Sequence, residues 1–221
     1  MAIVVIGGQS RSVGKTSVVA SLITRLPELR WTAFKITQYG HGFCTADGKP
    51  CQCATADSCV SVTAERDPSS GTDTARFLAA GAVRSLWVRT RIGMMSEAVP
   101  RVREELARAE NAILESNSIL DYLAPDLYLT VLDPAVTDFK DSSRRFLDRA
   151  DAVLWSSPDG QLTPAPESIR ASLNGKPQFA IAPPGYISDE IVDFVRAGLA
   201  RVRPGAAGFT RIPQRSPAFR V

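Results

Sequence analysis

The sequence predicts an α/β domain: a mostly parallel sheet between flanking helices, in a three-layer sandwich, with a cysteine-bearing insertion after the second strand. Three observations point there. Short apolar runs alternate along the chain with amphipathic stretches, the pattern of βαβ units around a buried parallel sheet. The first apolar run breaks into the turn Gly7-Gly8 and leads directly into an amphipathic segment starting at Lys15. The chain of 221 residues is long enough for one such domain but too short for two of full size. Its organisation reads as one domain over residues 1–200, with residues 38–71 inserted within it and a basic extension over residues 201–221.

Each element has its own justification. Strands are predicted over residues 2–7, 31–37, 84–90, 111–116, 127–133, 152–156 and 178–182, where Val, Ile, Leu and Trp crowd short segments bounded by turn residues. Helices are predicted over residues 15–26, 72–80, 96–109, 141–149, 166–173 and 188–200. Ser96 and Ser188 have the side-chain oxygen that caps exposed amides at a helix start, and Pro166 suits a first turn. Two stretches break the alternation. Residues 38–71 are too long for an ordinary strand-to-helix loop and carry all four cysteines. The tail from Arg201 to Val221 has five arginines, three prolines and no acidic residue. It reads as an extended strap over the surface, with a functional basic arm as the alternative.

The chemistry is concentrated in the segment Gly7-Gly8-Gln9-Ser10-Arg11-Ser12-Val13-Gly14-Lys15-Thr16-Ser17. Lying between an apolar strand and an amphipathic helix, it sits where a phosphate-binding loop must sit. Small residues at Gly8, Ser10, Ser12 and Gly14 let successive amides, with those of Arg11 and Val13, converge on one point. The start of the helix adds a partial positive charge there. Lys15 would reach the β- and γ-phosphates as a point charge, and the Thr16 hydroxyl, followed by Ser17, would ligate a Mg²⁺ that bridges them. Gly14 removes a Cβ that would collide with a phosphate oxygen. The common pattern G-x-x-x-x-G-K-[ST] calls for glycine where Gln9 stands; here Gly8 lies one residue earlier.

On these residues the chain resembles dethiobiotin synthetase and its ATP-dependent relatives within the P-loop NTPases. The segment Ala33-Phe34-Lys35-Ile36-Thr37 is similar to the lysine-bearing second strand of those synthetases. The run Gly71-Thr72-Asp73-Thr74-Ala75-Arg76, with Ala79-Ala80-Gly81-Ala82, looks like that of the B protein of molybdopterin-guanine dinucleotide biosynthesis. Ser10-Arg11 replaces the Asp-Thr pair of the synthetase loop, and Ser10 also stands where nitrogenase-reductase relatives have a signature lysine. The resemblance implies a Mg²⁺-dependent ATP or GTP site, a role in cofactor biosynthesis and, because sites of the relatives often lie near a subunit interface, a homodimer.

A Mg²⁺–nucleotide site also needs a carboxylate at the end of a buried strand. Glu115 closes the apolar run Asn111-Ala112-Ile113-Leu114 and precedes a polar turn, so it is a candidate both for the metal and, with Lys15, for catalysis. A glutamate that merely opens a loop is the alternative. Asp73 is a second candidate, although a first-turn acid beside a capping Thr72 is explained by the helix dipole alone. Lys35 and Arg76 suit either a phosphorylated or carboxylated substrate or a solvated surface. Asp133 suits a turn before Pro134 as well as base recognition.

Cys44, Cys51, Cys53 and Cys59 form C-x6-C-x-C-x5-C in a loop with few apolar side chains to pack. Four thiolates could hold Zn²⁺ or an iron–sulfur cluster. Reduced thiols in a flexible loop, or a redox-active pair, are the alternatives. His41, the single histidine, carries no assignment, and its solitude disfavours triad hydrolysis and multi-histidine metal catalysis. A net charge of +3 is too small to imply nucleic-acid or membrane partners, and no apolar run approaches a membrane span. The expectation is a soluble cytoplasmic protein that binds ATP or GTP with Mg²⁺. It would hydrolyse the nucleotide or use it to activate a small-molecule acid as a ligase does. The alternative is a nucleotide-switched accessory or metal-delivery protein acting through the cysteine loop.

Overall fold

The computed structural model describes residues 1–40, 59–136, 139, 141–162 and 164–201. Eight strands form one sheet: β1 (Ile3–Gly8), β2 (Trp31–Tyr39), β3 (Val60–Ala64), β4 (Arg84–Arg91), β5 (Asn111–Glu115), β6 (Leu127–Leu132), β7 (Ala152–Ser156) and β8 (Gln178–Ile181). Their order is β3-β4-β2-β5-β1-β6-β7-β8. Every neighbouring pair is parallel except β3 with β4. The helices are α1 (Lys15–Arg25), α2 (Asp73–Ala79), α3 (Met95–Leu106), α4 (Asp141–Phe146), α5 (Glu167–Arg170) and α6 (Asp189–Ala200). The predicted α/β sandwich is therefore the observed one.

The centre of the sheet is buried on both faces, which explains why its strands read as continuous apolar runs. In β1, Val4 and Ile6 join one core with α1, α2 and α6, through Val18, Leu22, Phe77, Ile191 and Val195. Ile3 and Val5 point to the opposite core with α3, against Met95, Ala98, Val102 and Leu106. The period-2 geometry of a strand sends neighbouring side chains to opposite layers. Burying each such side chain contributes roughly 1.5–3 kcal/mol. A third cluster, around Trp155, Ile169 and Leu173, closes the β7 end.

The structure corrects the sequence reading at several boundaries. Residues 38–71 are not all loop: β2 continues to Tyr39, and Val60–Ala64 forms the edge strand β3, antiparallel to β4 with Val62 opposite Val88. The alternation of Val60 and Val62 in that short run suits a half-covered edge. Ser96 is not the cap of α3, which begins at Met95 with Met94 at the N-cap and no side-chain cap. Pro166 stands at the N-cap of α5 rather than within its first turn. The expected helices 141–149 and 166–173 are each a short α-helix continued as a 3-10 turn. Ser188 does cap α6, accepting from the Ile191 amide, and Thr72 caps α2, accepting from the Ala75 amide at 3.0 Å. Cys44, Cys51, Cys53, His41 and the extension beyond Arg201 lie outside the described residues; Cys59 lies within them and is exposed. No helix among the described residues is long and apolar enough to cross a membrane.

Candidate functional site

The site forms at the carboxyl ends of β1, β2 and β5, where an open α/β sheet exposes its loops. A cleft of about 890 Å³ opens there, lined by Gly8, Arg11, Ser12, Gly14, Lys15, Thr16 and Ser17 from the first loop. Lys35, Asp73, Arg76, Glu115, Asn117 and Tyr186 line it from the surrounding elements.

The loop owes its shape to backbone requirements that few residues meet. Gly14, at the N-cap of α1, has φ 99°, a left-handed conformation that a side chain would strain. A Cβ there would also come within 3.2 Å of the Tyr186 ring. Ser12 has φ 60°, one of the three non-glycine residues with positive φ among the described residues. At Gly7 a Cβ would lie 2.3 Å from Asn117 Oδ1 and 2.7 Å from Tyr128 Oη, both side chains packed beneath the loop. Burial pushes the Tyr128 phenol up to about 12, so the group under the loop is neutral and adds no charge that would repel an anion.

Distant parts of the chain hold the loop in place. Asn117 clamps Gly8 as another strand would: the Gly8 amide donates to Asn117 Oδ1 at 2.9 Å, and Asn117 Nδ2 donates to the Gly8 carbonyl at 2.8 Å. Gln9, at the position where the common pattern has glycine, is buried and braces the opposite side. Its amide donates to the Val131 carbonyl at 3.0 Å, its Oε1 accepts from the Asp133 amide at 2.9 Å, and its Nε2 donates to the Val136 carbonyl. The deviation from the pattern thus fastens the loop to the turn after β6. Asp133 serves that turn, its Oδ1 accepting from the Ala135 amide at 2.9 Å.

The expected charged residues converge. Glu115, at the end of β5, is only 3% exposed, and its Oε2 accepts from the Thr16 hydroxyl at 2.8 Å. A hydroxyl and a buried carboxylate brought together this way supply the hard oxygen donors that Mg²⁺ prefers. Lys15 Nζ donates back to the Ser10 carbonyl at 2.5 Å, so the lysine folds over its own loop. Arg11 is exposed at the mouth of the cleft. Lys35, for which the sequence left a solvated position open, lies inside the site, paired with Glu115 and, at 2.9 Å, with Asp73. Arg76 also turns inward, donating to Ser17 Oγ at 2.9 Å.

Sequence reasoning missed Gly7, Asn117, Gln9 and Tyr186. For Asn117 the available signal was a side-chain amide two residues after the strand-end glutamate, a group able to imitate a backbone donor and acceptor. Among the described residues no cluster of three or more His, Cys, Asp or Glu is gathered for a metal. Three of the four cysteines lie outside those residues.

The eight-stranded sheet, with a strand-loop-helix at its centre and a cleft above it, is an α/β P-loop NTPase-like fold. Among solved structures, HypB from Helicobacter pylori, determined in complex with nickel, matches with a TM-score of 0.50. It is 14% identical, over 90% of this chain and 86% of its own. LpxK from Aquifex aeolicus, determined in complex with ATP, matches at 0.46 and 15% identity, over 81% of this chain and 53% of its own. MobB from Bacillus subtilis matches at 0.40 and 14% identity, over 90% of this chain and 98% of its own. At these identities the likeness is one of fold. No protein-family model matches the sequence, and no curated protein matches it significantly.

Proposed function

We propose that the protein binds ATP or GTP together with Mg²⁺ in this cleft and cleaves or transfers the terminal phosphoryl group. The observation that carries the reading is the meeting of the Thr16 hydroxyl with the buried Glu115 carboxylate at the foot of a glycine-shaped loop. In this reading the amides of residues 10–16 receive the β- and γ-phosphates, aided by the start of α1. Lys15 leaves the Ser10 carbonyl and places its ammonium on those phosphates, where it offsets charge developing in the transition state. Thr16 and Glu115 hold Mg²⁺, which supplies further neutralisation of the phosphate oxygens when bound. Arg76, beside Ser17, is within reach of the same end of the cleft. Tyr186, packed against Gly14, offers a ring for the base or ribose.

The concrete form of the activity is a ligase step. A small carboxylic acid in the outer cleft, near Lys35 and Thr37, attacks the γ-phosphorus; its oxygen forms the new P–O bond as the bond to the nucleoside diphosphate breaks. The resemblance of the loop and second strand to dethiobiotin synthetase supports this form and, with it, a role in cofactor biosynthesis within the cytoplasm. A second reading has one supporting observation: the cysteine-bearing segment leaves β2 just after Thr37 and Gln38, which line the cleft, and returns at β3. A metal or partner held by Cys44, Cys51, Cys53 and Cys59 would then answer to the nucleotide, as in an accessory or metal-delivery protein. A homodimer suits either reading.

The test is nucleotide binding and phosphate release in wild type and Lys15→Ala. Losing a charge-assisted contact of roughly 1.5–3 kcal/mol should weaken Mg²⁺–nucleotide binding by about 10- to 100-fold. Unchanged affinity would overturn the reading. Turnover stimulated by small acids would favour the ligase; slow release altered by a metal or partner protein would favour the accessory role.

A further inference from the structure

Lys35 occupies an unusual place for a cleft lysine. Its Nζ contacts Glu115 Oε1, lies 2.9 Å from Asp73 Oδ2 and donates to Thr16 Oγ1 at 3.3 Å. Two of these three partners, Thr16 and Glu115, are the oxygen donors assigned above to a divalent cation. The placement is built into the sheet: Lys35 and Glu115 are direct partners across the parallel β2–β5 pair, so their side chains leave the same face one strand apart. Lys35 is well covered, with its side chain 16% exposed, and Glu115 is covered almost completely. The pair is thus shielded from the solvent that weakens surface ion pairs.

An ammonium and a divalent cation compete for one buried carboxylate, because each repels the other at contact distances in a partly desolvated site. Asp73 makes displacement feasible. It stands in the first turn of α2, at the end of the lysine's reach, and is 43% exposed, so it can hold the ammonium after Glu115 is given up.

We propose that Lys35 is a resident cation that occupies the divalent-metal position of the nucleotide-free protein and must be displaced towards Asp73 before a metal can bind. While it is seated, Glu115 is neutralised and bare metal ions are turned away. A metal arriving with a polyphosphate brings the loop contacts needed to dislodge the ammonium, so metal and nucleotide binding become coupled. The inference rests on the proposed nucleotide site for its purpose, but the cation competition can be measured without any nucleotide.

The experiment titrates the nucleotide-free full-length protein with Mn²⁺ and follows free Mn²⁺ by electron paramagnetic resonance. Lys35→Met, which keeps the stem and removes the charge, should bind Mn²⁺ at least about tenfold more tightly than wild type. Adding Glu115→Gln to that variant should abolish the gain. Lys35→Gln provides the same comparison if Lys35→Met does not give folded protein by circular dichroism. Affinity for Mn²⁺ no greater in the charge-removed variant than in wild type would overturn the proposal, as would a gain that survives Glu115→Gln. Nucleotide binding by wild type, measured in parallel, separates the two ideas. A protein that binds Mg²⁺–nucleotide but gains no Mn²⁺ affinity on losing Lys35 refutes only the resident cation. One that gains Mn²⁺ affinity yet never binds nucleotide keeps the resident cation and refutes the nucleotide site.

Discussion

Two glutamates, Glu65 just after β3 and Glu115 at the end of β5, show how differently one side chain can be used. Glu65 follows β3 and gathers its partners from its own neighbourhood: the Arg66 amide at 3.0 Å, the Asp67 amide at 3.1 Å, and the Thr72 and Thr74 hydroxyls at 2.8 and 3.1 Å. These bonds, led by the one from the Asp67 amide, hold its carboxyl down at about 2. Its capacity is used in tying residues 65–74 into the turn that starts α2. Glu115 takes its partners from far along the chain, Thr16 and Lys35, each on a different element of the cleft. A carboxylate filled by neighbouring amides is part of the scaffold. One held by a hydroxyl and an ammonium at the wall of an open cleft is the kind the proposed ligand needs.

The largest effects should come from breaking the second arrangement. Glu115→Gln keeps the shape but removes the charge that Lys35 holds and that the proposal assigns to Mg²⁺. The dependence of nucleotide affinity on Mg²⁺, read by calorimetry with and without the metal, should fall by about tenfold or more. Gly14→Ala forces a side chain into a left-handed backbone, against Tyr186, at a cost of roughly 1–3 kcal/mol. Denaturant titration should show that loss, and nucleotide affinity should fall further because the loop amides are re-aimed. Asn117→Ala leaves the Gly8 amide and carbonyl without their side-chain partners and should cost roughly 1–3 kcal/mol. Unchanged stability in that variant would show that the clamp on the loop is dispensable.

The smallest effect belongs to Glu65. Glu65→Gln should lower the melting temperature by a few degrees at neutral pH while leaving nucleotide affinity alone. The sign of its pH dependence follows from the lowered value. The folded carboxyl stays charged to about 2, whereas the unfolded one takes up a proton near its ordinary 4.5. The stabilisation is therefore complete above that ordinary value and is lost as pH falls towards 2. Melting curves of wild type and variant should converge over that window. A gap constant down to pH 2 would mean that the charge of Glu65 plays no part.

What the sequence made legible follows the same division. The strand–loop–helix at the start, the buried parallel strands and the glutamate ending β5 were readable because each is a local pattern of period, apolar run or turn chemistry. Edge strand β3 was hidden because only Val60 and Val62 alternate before the run turns polar. The roles of Gln9, Asn117 and Tyr186 were hidden because each depends on a partner more than a hundred residues away in sequence. Lys35 was ambiguous for the same reason: only the β2–β5 register puts it opposite Glu115.

The central claim is that the first loop is shaped to hold a triphosphate, and a crystal structure of the protein with Mg²⁺ and a non-hydrolysable ATP or GTP analogue tests it most directly. The β- and γ-phosphates are expected against the amides of residues 10–16, with Lys15 turned from the Ser10 carbonyl onto them and the metal beside Thr16 and Glu115. A loop left empty at saturating nucleotide, with Lys15 still folded onto Ser10, would contradict it.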